Sequence, residues 1–259
     1  MLQSILVVSA VSLAVSSQSA DELRTMTWKV GTDTREARVY VPSVKKPDPP
    51  VVFIFHGHGG APEHVIRRLP IHKHWPDAVC VYPKGLPTPA PVIDPQGRRN
   101  GWQKFSGDQD DRDLKLFDAM LATMRSDFHI DEKRVYVTGH SNGGFFAYLL
   151  NATRHEALTA IAPIAGNLNL RGLKSQKPKP VLHVAGEQDP IVKYASQTRS
   201  IDEMKRINGC EGEGKSLGDG CVLYASKSGT PVITLIHPGG HEIPEKAPAR
   251  IAEFFRSGK

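Results

Sequence analysis

Cysteine is scarce in this chain: three residues in 259, with no C-x-x-C pair among them. That leaves little material for a structural zinc site or a dithiol redox centre. No H-E-x-x-H stretch is present, although His56, His58, His64, His72 and His74 crowd one segment. His72 and His74 stand at chelating spacing, but the nearest aspartate cluster lies beyond a long loop, so metal catalysis is not expected. Long apolar runs are also lacking. The only one, residues 5–15, is shorter than the roughly 20 residues that cross a bilayer. It lies within twenty residues that hold no charged side chain, and Ser16, Ser17, Ser19 and Ala20 follow it. That pattern fits the apolar region of a signal peptide with small residues at the cleavage site. The expectation is a leader over 1–20 and an exported protein, secreted or periplasmic, without a stable membrane anchor.

No internal repeat and no linker divides the remainder, so residues 21–259 read as one catalytic domain, long enough for a substantial core. The net charge is +6. The basic residues are scattered as Arg67-Arg68, Arg98-Arg99 and a lysine-rich stretch at 174–179. A nucleic-acid surface concentrates such charge in stripes with interleaved aromatics, so no nucleic-acid partner is expected.

What the chain does contain is an alternation of short β-branched runs and helical patterns. Residues 26–30 and 36–41 read as a hairpin around Gly31-Thr32-Asp33. Val51-Val-Phe-Ile-Phe55 reads as a strand buried on both faces. Residues 78–83, 135–137, 157–165, 180–185 and 232–236 follow as further strands. Between them, residues 62–74, the stretch from Asp108 through Met124, and residues 145–151, 194–207 and 249–255 carry helical patterns. Residues 84–102, rich in Pro, Gly and Arg, form a long loop of the kind that is often functional. Such alternation implies an α/β fold with a mostly parallel central sheet, helices on both faces, and binding groups at the carboxyl ends of the strands.

The chemistry is expected at those ends. Gly139-His140-Ser141-Asn142-Gly143 fits the G-x-S-x-G nucleophile elbow, with Val135-Tyr-Val as the strand before it and a helix after it. Such a turn lifts the serine hydroxyl clear of the backbone. A serine needs a base to take its proton and an acid to orient that base. Asp189 follows the strand at 180–185, and His241 follows the strand at 232–236, in the chain order Ser, Asp, His of the α/β-hydrolases. Ser141, Asp189 and His241 are therefore the candidate triad. The oxyanion donors are expected to be the backbone N–H of Asn142 and that of His58, with Gly59 as the second choice for the latter. This chemistry calls for no cofactor. Trp102, at the end of the long loop, is the candidate substrate contact, with a core anchor as the alternative. Cys210 and Cys221 bracket a short loop that a disulfide could close in an oxidising compartment, a bond typically contributing about 3 kcal/mol.

Several stretches resemble one family: His56-Gly-His-Gly-Gly60, Asn100-Gly-Trp102, Asp110-Asp111-Arg-Asp-Leu-Lys-Leu-Phe117, Asp131 through Gly144, and Gly239-Gly-His241. They are similar to the polyhydroxybutyrate depolymerase and feruloyl esterase group of secreted α/β-hydrolases. The resemblance runs from about Arg35 to the C-terminus. It implies a serine carboxylesterase with Ser141 as nucleophile, Asp189 as acid and His241 as base, and it also implies a cysteine-bounded excursion at Cys210 and Cys221. His58 stands where many relatives carry Cys, and Glu242-Ile243-Pro244 replaces a common Trp-Pro. No separate polymer-binding module is visible, which favours a small or polysaccharide-linked ester, feruloyl or acetyl, over solid polyester. A polyester depolymerase, a serine peptidase of the same fold and a non-catalytic binding protein are the alternatives.

Overall fold

The computed structural model describes residues 23–44, 46–168 and 176–258; the expected leader at 1–20 lies outside them. The described residues open with β1 (Arg24–Val30) and β2 (Asp33–Tyr40), paired antiparallel. Gly31 supplies the positive φ that the tight turn between them needs. Then come β3 (Val51–Phe55), α1 (Pro62–Arg68), α2 (Ile71–His74), β4 (Val79–Pro83) and the short β5 (Leu86–Pro87) and β6 (Asn100–Gly101). They are followed by α3 (Arg112–Phe128), β7 (Val135–His140), α4 (Asn142–Arg154), β8 (Ala160–Ile164), β9 (Val181–Gly186) and α5 (Tyr194–Ile207). The chain closes with β10 (Lys215–Gly218), β11 (Cys221–Tyr224), β12 (Val232–His237) and α6 (Ala247–Ser257).

Ten strands form one sheet in the order β1-β2-β4-β3-β7-β8-β9-β12-β11-β10. The six from β4 to β12 run parallel, and antiparallel hairpins flank them on both sides. Strand alternation divides the core between the two faces. Val51, Phe53 and Phe55 point to one side with Phe117 and Met120 of α3, Phe146 of α4 and Met204 of α5. Val52 and Ile54 point to the other with Val65 of α1, Ile71 of α2 and Phe255 of α6. The central strands are buried throughout, which is why their sequences are continuous apolar runs rather than alternating ones.

Four local features depart from the sequence reading. The helix expected over 62–74 breaks in two at Leu69-Pro70, because Pro70 has no N–H and disfavours helical backbone before it. The acidic stretch at Asp108–Asp111 is a short 3-10 turn with Gln109, Asp110 and Asp111 at positive φ, and α3 starts after it. The 84–102 segment is tied down by the β5–β6 ladder. Residues 215–224 form the hairpin β10–β11, which extends the sheet edge.

That hairpin corrects the expected disulfide: Cys210 and Cys221 are free thiols. Cys210 pairs with Ser226 across a β-bridge. Cys221 lies five residues before Ser226 along the same strand and its extension, roughly 16 Å at strand rise, well beyond the Cα separation a disulfide bridges. The thiols also face opposite sides of the sheet, with Cys210 against the α5 side and Cys221 in the α6 side.

Candidate active site

The site begins at the turn between β7 and α4. Ser141 takes φ 55 and ψ −118, a conformation that residues with a Cβ adopt only where their surroundings impose it. Its N–H donates to the Ile164 carbonyl at 2.8 Å, and its carbonyl accepts the Phe145 N–H at 3.0 Å. The glycine at 143 is obligatory, because a Cβ there would collide with the Phe55 carbonyl. Close packing of α4 on β3 thus sets the turn.

Ser141 Oγ lies 2.8 Å from His241 Nε2, and His241 Nδ1 lies 2.8 Å from Asp189 Oδ2. The structure therefore brings together three residues separated by 48 and 52 positions in sequence. Asp189 is buried, while the His241 side chain keeps 16% of its surface exposed. Asp189 Oδ1 accepts the N–H groups of Ile191 and Val192, each at 2.8 Å. Those two bonds orient the carboxylate so that Oδ2 faces the imidazole. Asp189 Oδ2 also accepts from Gln197 Nε2 at 3.1 Å. The second Gln197 N–H donates to the Val192 carbonyl at 2.7 Å. This orientation turns Gln197 Oε1 toward His183 Nε2, 3.4 Å away, while His183 Nδ1 meets the Tyr148 hydroxyl at 2.6 Å. Every donor then points the same way, from Tyr148 through His183 and Gln197 to Asp189. Burial holds His183 at about 4, so the ring is neutral and has one N–H and one acceptor nitrogen for this chain.

His140, the variable residue of the elbow, donates from Nε2 to the His241 carbonyl at 2.7 Å. Its ring lies 4.9 Å from the His241 ring. Burial, and then the neighbouring His241, lower the His140 pKa to about 4. A neutral imidazole therefore anchors the backbone of the loop that carries His241.

The His58 and Asn142 side chains both approach Gly101. An added Cβ on Gly101 would meet His58 Nδ1 at 2.7 Å and Asn142 Oδ1 at 2.9 Å, so three chain segments converge there. The Gly59 N–H is committed to the Asn100 carbonyl at 2.7 Å and the Gly60 N–H to the Gly57 carbonyl at 2.9 Å. Gly59, the second choice at this position, is thereby removed. Among the described residues no acceptor engages the backbone N–H of His58 or of Asn142. Asn142 is the first residue of α4, where an uncommitted N–H and the positive end of the helix dipole coincide. The His58 ring is held by Asp94 Oδ2 at 3.0 Å, and Asp94 also accepts the N–H groups of Arg98 and Arg99 at 3.2 and 2.9 Å. The Arg99 N–H, followed by the side-chain bond to His58, keeps the Asp94 carboxyl below its ordinary range.

Trp102 is not a surface contact. It is fully buried, donates its indole N–H to the His56 carbonyl at 2.8 Å, and packs on Phe55 and Phe146. Its backbone N–H and carbonyl are both bound by the Asn142 amide, at 2.6 and 2.9 Å. Trp102 thus serves as the anchor of the long loop. A cavity of about 600 Å³ opens over Ser141 and His241, with Ile93, Ile191 and Ile243 among its apolar walls. Another, of about 690 Å³, lies between β11, β12 and α6 and contains no member of this constellation. Among the described residues no group of three or more His, Cys, Asp or Glu side chains is arranged to hold a metal. Two of the crowded histidines have other partners: His56 lies between the Gly57 carbonyl and the Gly85 N–H, and His72 meets the Tyr82 hydroxyl.

Residues 37–210 match the dienelactone hydrolase family. The chain belongs to that family. Over 166 residues it is 29% identical to the bifunctional acetylxylan esterase/xylanase XynS20E of Neocallimastix patriciarum, a match that covers 62% of this chain and 22% of that protein. Over 248 residues it is 26% identical to feruloyl esterase D of Neurospora crassa, covering 89% of this chain and 82% of that enzyme. Among solved structures it is similar to the acetyl xylan esterase from Aspergillus awamori. That match has a TM-score of 0.68 over 90% of this chain and 99% of the other, at 13% identity. The fold of this dienelactone hydrolase family member is the α/β-hydrolase fold.

Three groups around the site of this family member escape sequence reasoning: Gln197, Asp94 and His140. Gln197 sits in the first turn of α5 and Asp94 in an aperiodic loop, so no local pattern marks either one. The one local signal is at His140, which occupies the open position of the elbow motif.

Proposed function

We propose that this dienelactone hydrolase family member is an exported serine carboxylesterase, cleaving feruloyl or acetyl esters of plant polysaccharide through an acyl-enzyme on Ser141. The observation that carries this reading is the unbroken hydrogen-bond series Ser141–His241–Asp189 at 2.8 and 2.8 Å, opening into a cavity beside two uncommitted backbone N–H groups. Relatives whose names denote feruloyl and acetylxylan esterases support the substrate class.

In this mechanism His241 Nε2 takes the Ser141 proton as Oγ attacks the ester carbonyl carbon. The carbonyl oxygen becomes an oxyanion facing the N–H groups of His58 and Asn142, each such donor typically contributing about 3 kcal/mol to the transition state. The imidazolium, steadied by Asp189, then gives its proton to the departing alkoxide, and the alcohol leaves. Water repeats the sequence on the acyl-enzyme: His241 takes its proton, its oxygen attacks the acyl carbon, and Ser141 recovers the proton as the acid departs. Gln197 and the N–H groups of Ile191 and Val192 fill the remaining acceptor sites of Asp189, so its carboxylate keeps one orientation throughout.

Replacement of Ser141 by Ala is expected to lower kcat for a short p-nitrophenyl ester by at least about a thousandfold, with an unchanged circular-dichroism spectrum. Turnover retained in that variant would refute the serine mechanism. A panel of methyl ferulate, acetylated xylan and polyhydroxybutyrate tests the substrate assignment, with turnover of the last alone pointing to a depolymerase. The mass of the protein recovered from a secreting host tests export, since the expected product lacks residues 1–20.

A further inference from the structure

Two arginines from separate basic pairs in the sequence meet at the mouth of the cavity. Arg68 ends α1 and Arg99 lies near the end of the 84–102 segment, yet both line the same cavity as Ser141 and His241. Both side chains are exposed. The stem of Arg99 lies over Gly59, where an added Cβ would come 3.3 Å from its Cδ, and so rests on the loop that carries His58. His64, one turn before Arg68 on α1, also lines the cavity, and residues four apart share a helix face.

These cations differ from several other surface arginines, although Arg24, Arg199 and Arg256 are likewise exposed and in no ion pair among the described residues. Arg125, Arg134, Arg154, Arg206 and Arg250 each sit in an ion pair with an acidic side chain. Among the described residues Arg68 and Arg99 are in none, nor are their chain neighbours Arg67 and Arg98. The nearby acids make no ion pair with them. Asp94 is buried and committed to His58 and two backbone N–H groups. Glu242 accepts the Gly240 N–H and lies 3.8 Å from His237. Glu63 is the one acid on α1. Two guanidinium groups, Arg68 and Arg99, and one carboxylate, Glu242, thus line the cavity. A second feature shares the mouth: Ile93 and Ile191, two of the few large exposed apolar side chains, are 51% and 56% exposed there. Exposed guanidinium beside exposed aliphatic surface matches a ligand with carboxylates on apolar-faced rings.

We propose that this rim binds a polysaccharide bearing uronate carboxylates, and that the ester cleaved at Ser141 is carried on such a chain. The proposal rests on the esterase reading and adds the charge of the substrate to it. The guanidinium groups pair with carboxylates that flank the ester. The isoleucines cover the faces of the sugar rings. Because the rim is open to water, the attraction is strong at low salt and screened at high salt.

The test uses the full chain carrying Ser141→Ala, so that binding is read without turnover. Affinity electrophoresis through glucuronoxylan, neutral arabinoxylan and polyglutamate is run at low and high ionic strength. The expected result is binding to glucuronoxylan at least about tenfold tighter than to arabinoxylan at low salt, lost at high salt and in R68Q/R99Q. It should persist in R125Q/R206Q, which removes the same net charge elsewhere. Equal binding to the two xylans, equal binding to polyglutamate, or retention in R68Q/R99Q would overturn the proposal. A second arm compares the active enzyme on p-nitrophenyl acetate and on the p-nitrophenyl hemiester of a dicarboxylic acid. A preference for the hemiester without polymer binding would place the recognised carboxylate on the acyl group and overturn the polysaccharide assignment. Loss of turnover on p-nitrophenyl acetate itself would refute the esterase reading alone, since the binding arm does not depend on it.

Discussion

Gln197 illustrates how much of this site rests on residues that never meet substrate. Its amide satisfies Asp189, the Val192 carbonyl and His183 at once. Replacing it with Met keeps the volume but leaves those partners unpaired in a buried setting, at a cost of about 1–3 kcal/mol. The expected outcome for Gln197→Met is a lower unfolding midpoint in urea together with a kcat roughly tenfold below wild type and a KM changed much less. A fall in stability with unchanged kcat would show that Gln197 does not act on Asp189. At this scale the sequence was legible where chemistry and chain position coincide. Ser141, Asp189 and His241 each follow a strand, and their order along the chain is that of a known constellation. Gln197 and Asp94 were opaque because their roles come from partners eight and thirty-six positions away. Trp102 was misplaced because an indole at a loop end is equally suited to stack on a ligand or to fill a core, and only packing decides between the two.

Among the elements, the strands were the easiest to foresee. A parallel strand buried on both faces must be apolar at every position, and β3, β4, β8 and β9 fulfil this. The edge hairpin β10–β11 is hard to see in the sequence because β10 is exposed at every residue and has no alternating apolar pattern. The disulfide expectation has the same physical root, since two cysteines that bracket a loop look close until the loop becomes a strand pair. A thiol titration of the unreduced, denatured protein is therefore expected to count three free thiols, and a count of one would restore the bond. The elbow gives a sharper test of packing. Gly143→Ala places a methyl group against the Phe55 carbonyl, forcing α4 and β3 apart. The expected consequence is a destabilisation of at least about 2 kcal/mol, within the range for overpacked sites, with esterase activity lost in the fraction that folds. A variant that keeps both stability and activity would show that the contact yields easily.

For the molecule as a whole, three histidines, His56 and His183 buried and His140 half-buried, couple the fold to pH. His56, His140 and His183 each have a pKa lowered from 6.5 to about 4, in every case chiefly by burial. The unfolded chain therefore binds protons that the folded chain refuses between those limits. Stability gained from the neutral rings is complete above pH 6.5 and declines as the pH falls toward 4, each histidine contributing at most about 3 kcal/mol. Urea unfolding at pH 7, 5.5 and 4.5 is expected to show a steep fall in stability across that interval, and a flat profile would contradict the buried, neutral assignment. The global arrangement was readable from the strand-helix alternation, which dictates parallel strands and functional groups along one edge. What alternation does not reveal is which surface charges the fold gathers together, and the arginine pairs that look dispersed along the chain are the example.

The parallel order of the sheet has a consequence in time. The nucleophile and the base proposed for it are 100 residues apart, because two further parallel strands must be laid down before the one that delivers His241. At the usual ribosomal pace of about 5–20 residues per second, Ser141 emerges some 5–20 seconds ahead of its partner. Throughout that interval the hydroxyl is no more reactive than any other serine. On the proposed mechanism, the order of synthesis thus keeps the nascent chain chemically inert until nearly the whole sheet exists to confine the serine.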